Sequence, residues 1–397
     1  MTMAAAIESR TAEAHIWSKT SRIAHVEILP DLVQAEAIWR GLEGPQHFST
    51  PFQRFDFLAP WQRKVGERKG LLPFIVVAYD ADRRPLLLMP LALCQKYGIR
   101  FACFMGGKHS TFNMALWDGD FAAKATPDDL HALISAIRKQ SRADVLALTQ
   151  QPMNWRDAPN PMALLPSQAS ANDCPLMTIA PGAPPEALID RSLRRELKAK
   201  ERKLQKLPGY RYHVASGDTE IKRLLDWFFR IKPLRMAKQK LPNAFAEPGI
   251  EDFLHAACIA PIASGGHVID IHAIECDEEV IAIFAGVSDG QRFSTMFNTY
   301  TMSGNSRHSP GLILLRNIID HYAERGYRAF DLGVGTDDYK KLFCKSDEPI
   351  FDSFIPLSAR GKVAAGAMSG IHRAKRLVKH NQALFHIAQR LRTALHR

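Results

Sequence analysis

The same order of secondary-structure elements is written twice along the chain, and that repetition constrains the fold more than any single motif. In the first half, LPFIVVAYDADRRPLLLMPLAL (72–93) sets two apolar, β-forming runs around a turn rich in Asp and Arg, the pattern of a hairpin. IRFACFMGG follows as a third strand. Pro127, Asp128 and Asp129 then open a helix with Leu130, Leu133, Ile134 and Ile137 at helical spacing, and ADVLALTQ is a further strand. In the second half, HVIDIHAIE and EVIAIFAGVS form a hairpin around Cys276, Asp277 and Glu278, and RFSTMFNTY is the third strand. Ser309, Pro310 and Gly311 open a helix running to Arg325, and YRAFDLGVG is the last strand. Ser309 suits an N-cap, Pro310 the first helical position and Gly326 the stop.

These two units set the expected boundaries: residues 26–151 as a first domain and 186–358 as a second, with a flexible stretch at 1–25. Between the domains, 152–185 is rich in Pro, Ala, Asn and Ser, the composition of a crossing linker. It leads into LIDRSLRRELKAKERKLQKL, a helix whose narrow stripe of Leu193, Leu197, Leu204 and Leu207 fits packing by one edge; its many Lys and Arg face water or a phosphate-bearing ligand. At 397 residues, 46% of them apolar, the chain has material for two domains of ordinary size. The six cysteines are scattered without metal-ligand spacing, so reduced thiols and no metal are expected.

The net charge of +11 would suggest nucleic acid if it were spread over the chain. It is local: residues 359–397 hold nine Lys and Arg and no acid, leaving about +2 for everything else. Met368, Ile371, Leu377, Val378, Leu384, Ile387, Leu391 and Leu395 recur there at roughly helical spacing. Such a basic amphipathic tail suits an anionic membrane surface, an acidic carrier protein or a basic face turned to water. Few aromatics interleave with the charges, which argues against nucleic acid. Neither a signal peptide nor an 18-residue apolar run is evident, so the expected location is the cytoplasm, with a peripheral place on the inner face of the membrane as the option the basic tail adds.

The hairpin, third strand, SPG-opened helix and strand ending FDLGVGTDDYKK resemble the acyltransferase domain of the GNAT superfamily, in the branch described as BioF2-like or cellulose-biosynthesis-associated. The resemblance is best over 188–357 and weaker over 26–151, and together the halves look like the tandem GNAT arrangement of Fem-type transferases. It implies an α/β (α+β) fold: two GNAT-like domains, each a mixed, mostly antiparallel sheet flanked by helices, plus the basic helical tail. It also implies transfer of an acyl group from a thioester, acyl-CoA or acyl carrier protein, as co-substrate rather than a permanently bound cofactor. The acceptor would be an amine, or in second place a hydroxyl, of a lipid-like or envelope-precursor molecule, with polysaccharide-precursor acetylation as the runner-up. A degenerate, non-catalytic scaffold of an envelope-polysaccharide or lipid system is the alternative of another class.

In such folds the donor's pyrophosphate lies at the helix start after the splayed central strands, where unpaired N–H groups and the helix dipole favour an anion. The matching positions are Ser309, Gly311 and Leu312, with Arg307 and His308 adding charge and Asn298 in the preceding strand. RHSPGL departs from the family's usual glycine spacing, which leaves acyl-CoA, acyl carrier protein and aminoacyl-tRNA open as donors. For the chemistry, Tyr339 is the expected acid toward the leaving sulfur, or else a packed lid. Asp331 is a base-orienting group or a turn cap, and Lys340 binds acceptor or sits in water. In FMGGKHSTFN, Gly107 permits close backbone approach, His109 is a candidate base and Asn113 a candidate acceptor contact. Lys232 and Arg235 flank Pro233, expected to break their helix, and are candidate contacts to a donor phosphate or acceptor carboxylate. GxSxG, HExxH and P-loop signatures are absent from the sequence.

Overall fold

The computed structural model describes residues 21–263, 265–335 and 337–381. The first half supplies β1 (His25–Leu29), β2 (Leu72–Tyr79), β3 (Pro85–Lys96), β4 (Ile99–Phe104) and β5 (Val145–Pro152). Its longer helices are α1 (Leu32–Gly41), α2 (Phe55–Trp61) and α3 (Pro127–Gln140). The start of α3 is closed by a reciprocal capping box between Thr126 and Asp129. The second half supplies β6 (Cys174–Thr178), β7 (Arg211–Val214), β8 (Asp270–Glu275), β9 (Val280–Ser288), β10 (Arg292–Tyr300), β11 (Ala329–Asp331), β12 (Ser346–Glu348) and β13 (Ile350–Pro356). Its longer helices are α4 (Arg191–Leu204), α5 (Asp218–Lys238), α6 (Ile250–Ile259), α7 (Pro310–Glu324) and α8 (Ala359–His380).

Two sheets result. In the first the main order is β1-β2-β3-β4-β5-β13, ending on the short strand Gln168–Ala169; in the second it is β7-β8-β9-β10-β11-β6-β12. Each has one parallel pair at the matching place, β4 with β5 and β10 with β11, and its other main-path pairings are antiparallel. The repeated order in the sequence is thus a repeated topology.

The halves also exchange strands. The 152–185 stretch, expected as a linker, contains β6, which pairs with β11 and β12 inside the second sheet. Reciprocally β13, expected within the second domain, pairs with β5 in the first sheet. Composition hides β6 because CPLMT is short and set among Pro, Asn and Ser, while its pairing is long-range. Residues 1–20, most of the N-terminal stretch expected to be flexible, lie outside the described residues, as does the tail from 382 to 397.

Central strands carry the core. All nine residues of β9 are buried, and six consecutive residues of β2 are, as expected for strands covered on both faces. Burying each such Val, Ile or Leu contributes roughly 1.5–3 kcal/mol. One apolar cluster runs through both halves, joining Phe57 of α2 to Phe253 of α6 in a T-shaped contact at 5.3 Å.

Candidate active site

The second sheet opens where β10 and β11 part. They pair only over Arg292–Ser294 with Ala329–Asp331. Beyond that, β10 continues to Tyr300, with Met296 as an extra residue relative to β9, while the other chain turns away through Gly333 and Gly335. Both glycines have positive φ, 70° and 120°, and a Cβ at Gly333 would meet the Thr295 carbonyl oxygen at 3.2 Å.

At the mouth of the split stands the start of α7. Ser309 occupies the N-cap position, yet it is left-handed (φ 55°, ψ 49°) and its hydroxyl makes no capping bond. Its Oγ instead accepts from Lys200 Nζ of α4 at 3.2 Å. Pro310 has no N–H to offer, and the N–H of Gly311 comes too early in the helix for an intrahelical partner. Lys200, Lys203 and Arg307 are close enough that, after burial, they hold His308 below its ordinary value. Positive side chains and a helix dipole therefore converge at this end, the expected chemistry for a phosphate. Lys200 and Lys203 were not singled out in the sequence because both belong to a strongly basic helix in which nothing local distinguishes them.

From there a continuous line of side chains crosses the second half. A Cβ on Gly311 would touch the Tyr300 ring at 3.3 Å, so the glycine lets α7 lie against that ring. The Arg235 guanidinium stacks on Tyr300, 3.3 Å from its centroid, and Arg235 is itself buried. One turn earlier, Lys232 Nζ donates to the Asn298 carbonyl at 2.9 Å. Burial, helped by Arg235, lowers the Lys232 ammonium to about 8, with Asp337 acting in the opposite sense. Contrary to the expected break, α5 runs from Asp218 to Lys238 with Pro233 inside it; the continuous helix places Lys232 and Arg235 three residues apart on one face.

Asn298 joins this line to the glycine turn, because its side chain lies at the Tyr339 phenol and favours its ionised form. Burial, then the Asp337 carboxylate, raises the Tyr339 phenol well above its ordinary value, outweighing the effect of Asn298. Tyr339 is thus held as a protonated hydroxyl. Asp337 is exposed and within electrostatic reach of both Tyr339 and Lys232. Sequence reasoning passed over it: in TDDYKK neither carboxylate stands out, and only the turn's path separates their surroundings.

Two other residues of that turn have structural partners. Asp331 is fully buried, paired with Arg292 at 2.8 Å, and accepts from Ser294 Oγ, Cys174 Sγ and the Gly333 N–H. This is the geometry of an anchor and a turn cap, and it leaves no lone pair facing an acceptor. Lys340, also buried, donates to the carbonyls of Gly333 (3.0 Å) and Val334 (3.2 Å), so it clamps the turn from inside instead of meeting solvent or acceptor.

The first-half loop lies at the seam between the halves. Thr111 borders Gly333, and Lys108 and Lys69 both pair with Glu247. His109 packs near Phe253, and its Nδ1 accepts from Trp61 Nε1 at 3.1 Å. An indole N–H only donates, so neutral His109 carries its proton on Nε2. Burial, aided by Lys108, lowers it to about 4. Neutral His109 therefore presents a donor rather than the free lone pair expected of a base. Gly107 (φ 52°) lies against Trp61, where a Cβ would come within 3.3 Å.

Asn113 accounts for the first sheet's own split. Beyond the short parallel pairing of β4 and β5, the carbonyls of Thr149 and Gln150 in β5 accept from the Asn113 side-chain amide (3.0 Å) and backbone N–H (2.9 Å). With Phe112 and Met114 fully buried on either side, the chain fills that opening itself, and Asn113 is a plug rather than an acceptor contact. A surface depression of about 580 Å³ lies elsewhere, beside Lys222, Arg223 and Glu275.

Residues 191–341 match the family model described as acetyltransferase (GNAT) domain. In backbone the chain is similar to the crystal structure of FemX, at 9% identity over 83% of this chain and 96% of that one, with a TM-score of 0.55. It is also similar to a conserved protein of unknown function from Bacteroides thetaiotaomicron VPI-5482, at 12% identity, 83% and 100% coverage and a TM-score of 0.52. No curated protein matches it in sequence. Residues 191–341 thus carry a GNAT acetyltransferase domain, and the backbone of the chain as a whole is similar to that of FemX.

Proposed function

We propose that the chain moves an acyl group from a thioester donor, acyl-CoA or acyl carrier protein, to an amine, or in second place a hydroxyl, of a lipid-like or envelope-precursor acceptor. One observation carries this reading: the cationic start of α7 and the Tyr339–Asn298–Lys232 cluster are joined through Tyr300 and Arg235 along the opening between β10 and β11. In this proposal the donor's phosphates lie against the Gly311 N–H, Lys200, Lys203 and Arg307, and its thioester reaches Tyr339. The acceptor nitrogen attacks the carbonyl carbon, the carbon–sulfur bond breaks, and Tyr339 donates its proton to the departing sulfur. Asp337 receives the proton lost by the amine, and Lys232 orients an anionic part of the acceptor.

The test is to mix purified protein with acetyl-CoA, longer acyl-CoA and acyl carrier protein donors and follow thermal shift and thioester loss. A response to at least one donor is expected. Replacing Tyr339→Phe should then lower kcat on the order of 10²-fold while donor affinity stays unchanged. Silence toward every thioester, or full turnover by the Phe variant, would overturn the reading.

A further inference from the structure

The helix α8 carries its apolar residues on the wrong side for a helix that merely packs on its own domain. Its inner face is already satisfied. Ala365 is buried in a small cluster with Val145 and Ala147 of β5, and Ala364 and Met368 pack at its edge. Further along, His372 Nδ1 pairs with Asp352 at 2.8 Å and Arg376 donates to the Ser170 carbonyl and to Asp173. On a helix the positions opposite this face are 363, 367, 370, 374 and 377, with 371 alongside. They hold Val363, Ala367, Gly370, Ala374, Leu377 and Ile371, all exposed, the three large ones at 76%, 68% and 53% for Val363, Leu377 and Ile371. A water-facing surface helix normally shows charge there.

The charge is instead on the borders. Exposed Lys362 and Arg373 line one edge of the stripe, and exposed Arg360 and Lys375 the other. Near the first turn, a depression of about 530 Å³ adds Arg100, Arg138 and Arg142 beside Arg360. Beside the helix, Ile99 packs in the cluster that holds Ala364, and two residues before it Tyr97 stands 91% exposed at the tip of the β3–β4 hairpin, next to Lys96. An apolar stripe from Val363 to Leu377 between two basic borders, about 21 Å long at roughly 1.5 Å per residue, matches an anionic bilayer surface: the stripe enters the acyl boundary while the borders meet headgroup phosphates.

From these features we infer that α8 is a membrane-docking helix that binds anionic phospholipid with its long axis in the plane of the surface. Charge complementarity selects this occupant over two others. A second copy of the chain would set Lys and Arg borders against like borders. The residues after α8 add Arg390, Arg392 and Arg397, and from 359 onward there is no acid to offset them, so the rest of the tail is a poor cover for a basic-edged stripe. The inference stands on α8 and its surroundings and does not depend on acyl transfer.

The test is flotation of the full chain with vesicles of phosphatidylcholine alone and of phosphatidylcholine mixed with phosphatidylglycerol. The chain should float several-fold more with the anionic mixture, and raised salt should reduce that binding. Ile371→Glu with Leu377→Glu should lower flotation several-fold while leaving the melting temperature unchanged, because both side chains already face solvent. Absence of binding, equal binding to both vesicle types, or unchanged binding by the double variant would overturn the inference. So would a dimer that light scattering detects without lipid and that the double variant dissolves.

Discussion

His109 illustrates how a residue type read correctly can be given the wrong task. Histidine in a polar glycine loop suggests a base, but the Trp61 indole fixes its tautomer and burial holds it near 4. The consequence for stability has a definite sign. The unfolded chain binds this proton near pH 6.5 and the native chain only near 4, so His109's contribution is intact above 6.5 and is lost as pH falls through that window. Between pH 7 and 5 the wild type should therefore lose about 1–2 kcal/mol more stability than His109→Gln, read by urea denaturation at both pH values. Equal losses would show that the imidazole is freely hydrated. Tyr339, Lys232 and Arg235 were singled out from sequence and do converge, whereas Asp331 and Lys340 became anchor and clamp. Their chemistry was legible; whether each group faced a cavity or its own backbone depended on how the glycine turn folds.

Among the elements, strand and helix types followed from local pattern: the predicted third strand Arg292–Tyr300 and the helix from Pro310 appear as expected. The exchange of β6 and β13 did not follow, since a strand's period says which face is apolar but not which sheet it joins. The exchange makes β13 an obligatory neighbour of β5, whose opposite edge is already engaged by β4 and Asn113. A chain ending at residue 349 should leave the VLAL edge of β5 unpaired and be aggregated or rapidly cleaved, whereas one ending at residue 381 should elute as a single folded species. Size exclusion with limited proteolysis distinguishes them, and a soluble, protease-resistant shorter chain would refute the role given to β13.

Across the whole molecule, Arg292 pins the halves together. Its guanidinium pairs with Asp331 and Glu348 and lies 4.6 Å from the ring centroid of Phe112 in the first half and 4.4 Å from that of Trp155 in the connecting stretch. Removing it would leave two buried carboxylates facing each other. Arg292→Leu should cost about 3–5 kcal/mol in urea denaturation at neutral pH, and adding Asp331→Asn with Glu348→Gln should recover part of that loss. A loss under about 1 kcal/mol would mean the carboxylates find water or other donors. The shared core spanning Phe57 and Phe253 should make both halves lose structure in the same transition.

By itself the sequence determined the inventory: two hairpin–strand–helix–strand units, a helix start suited to an anion, a tyrosine after a glycine turn and a basic tail. Those are consequences of backbone periods and residue chemistry within a few positions of each other. The tertiary structure alone decided which opening is filled by Asn113 and which is left between β10 and β11, and which face of α8 meets the sheet. Such decisions rest on partners far apart in the chain, as in the bond from the Gln150 N–H to Asp352, 202 residues away, and no local pattern encodes a partner at that distance.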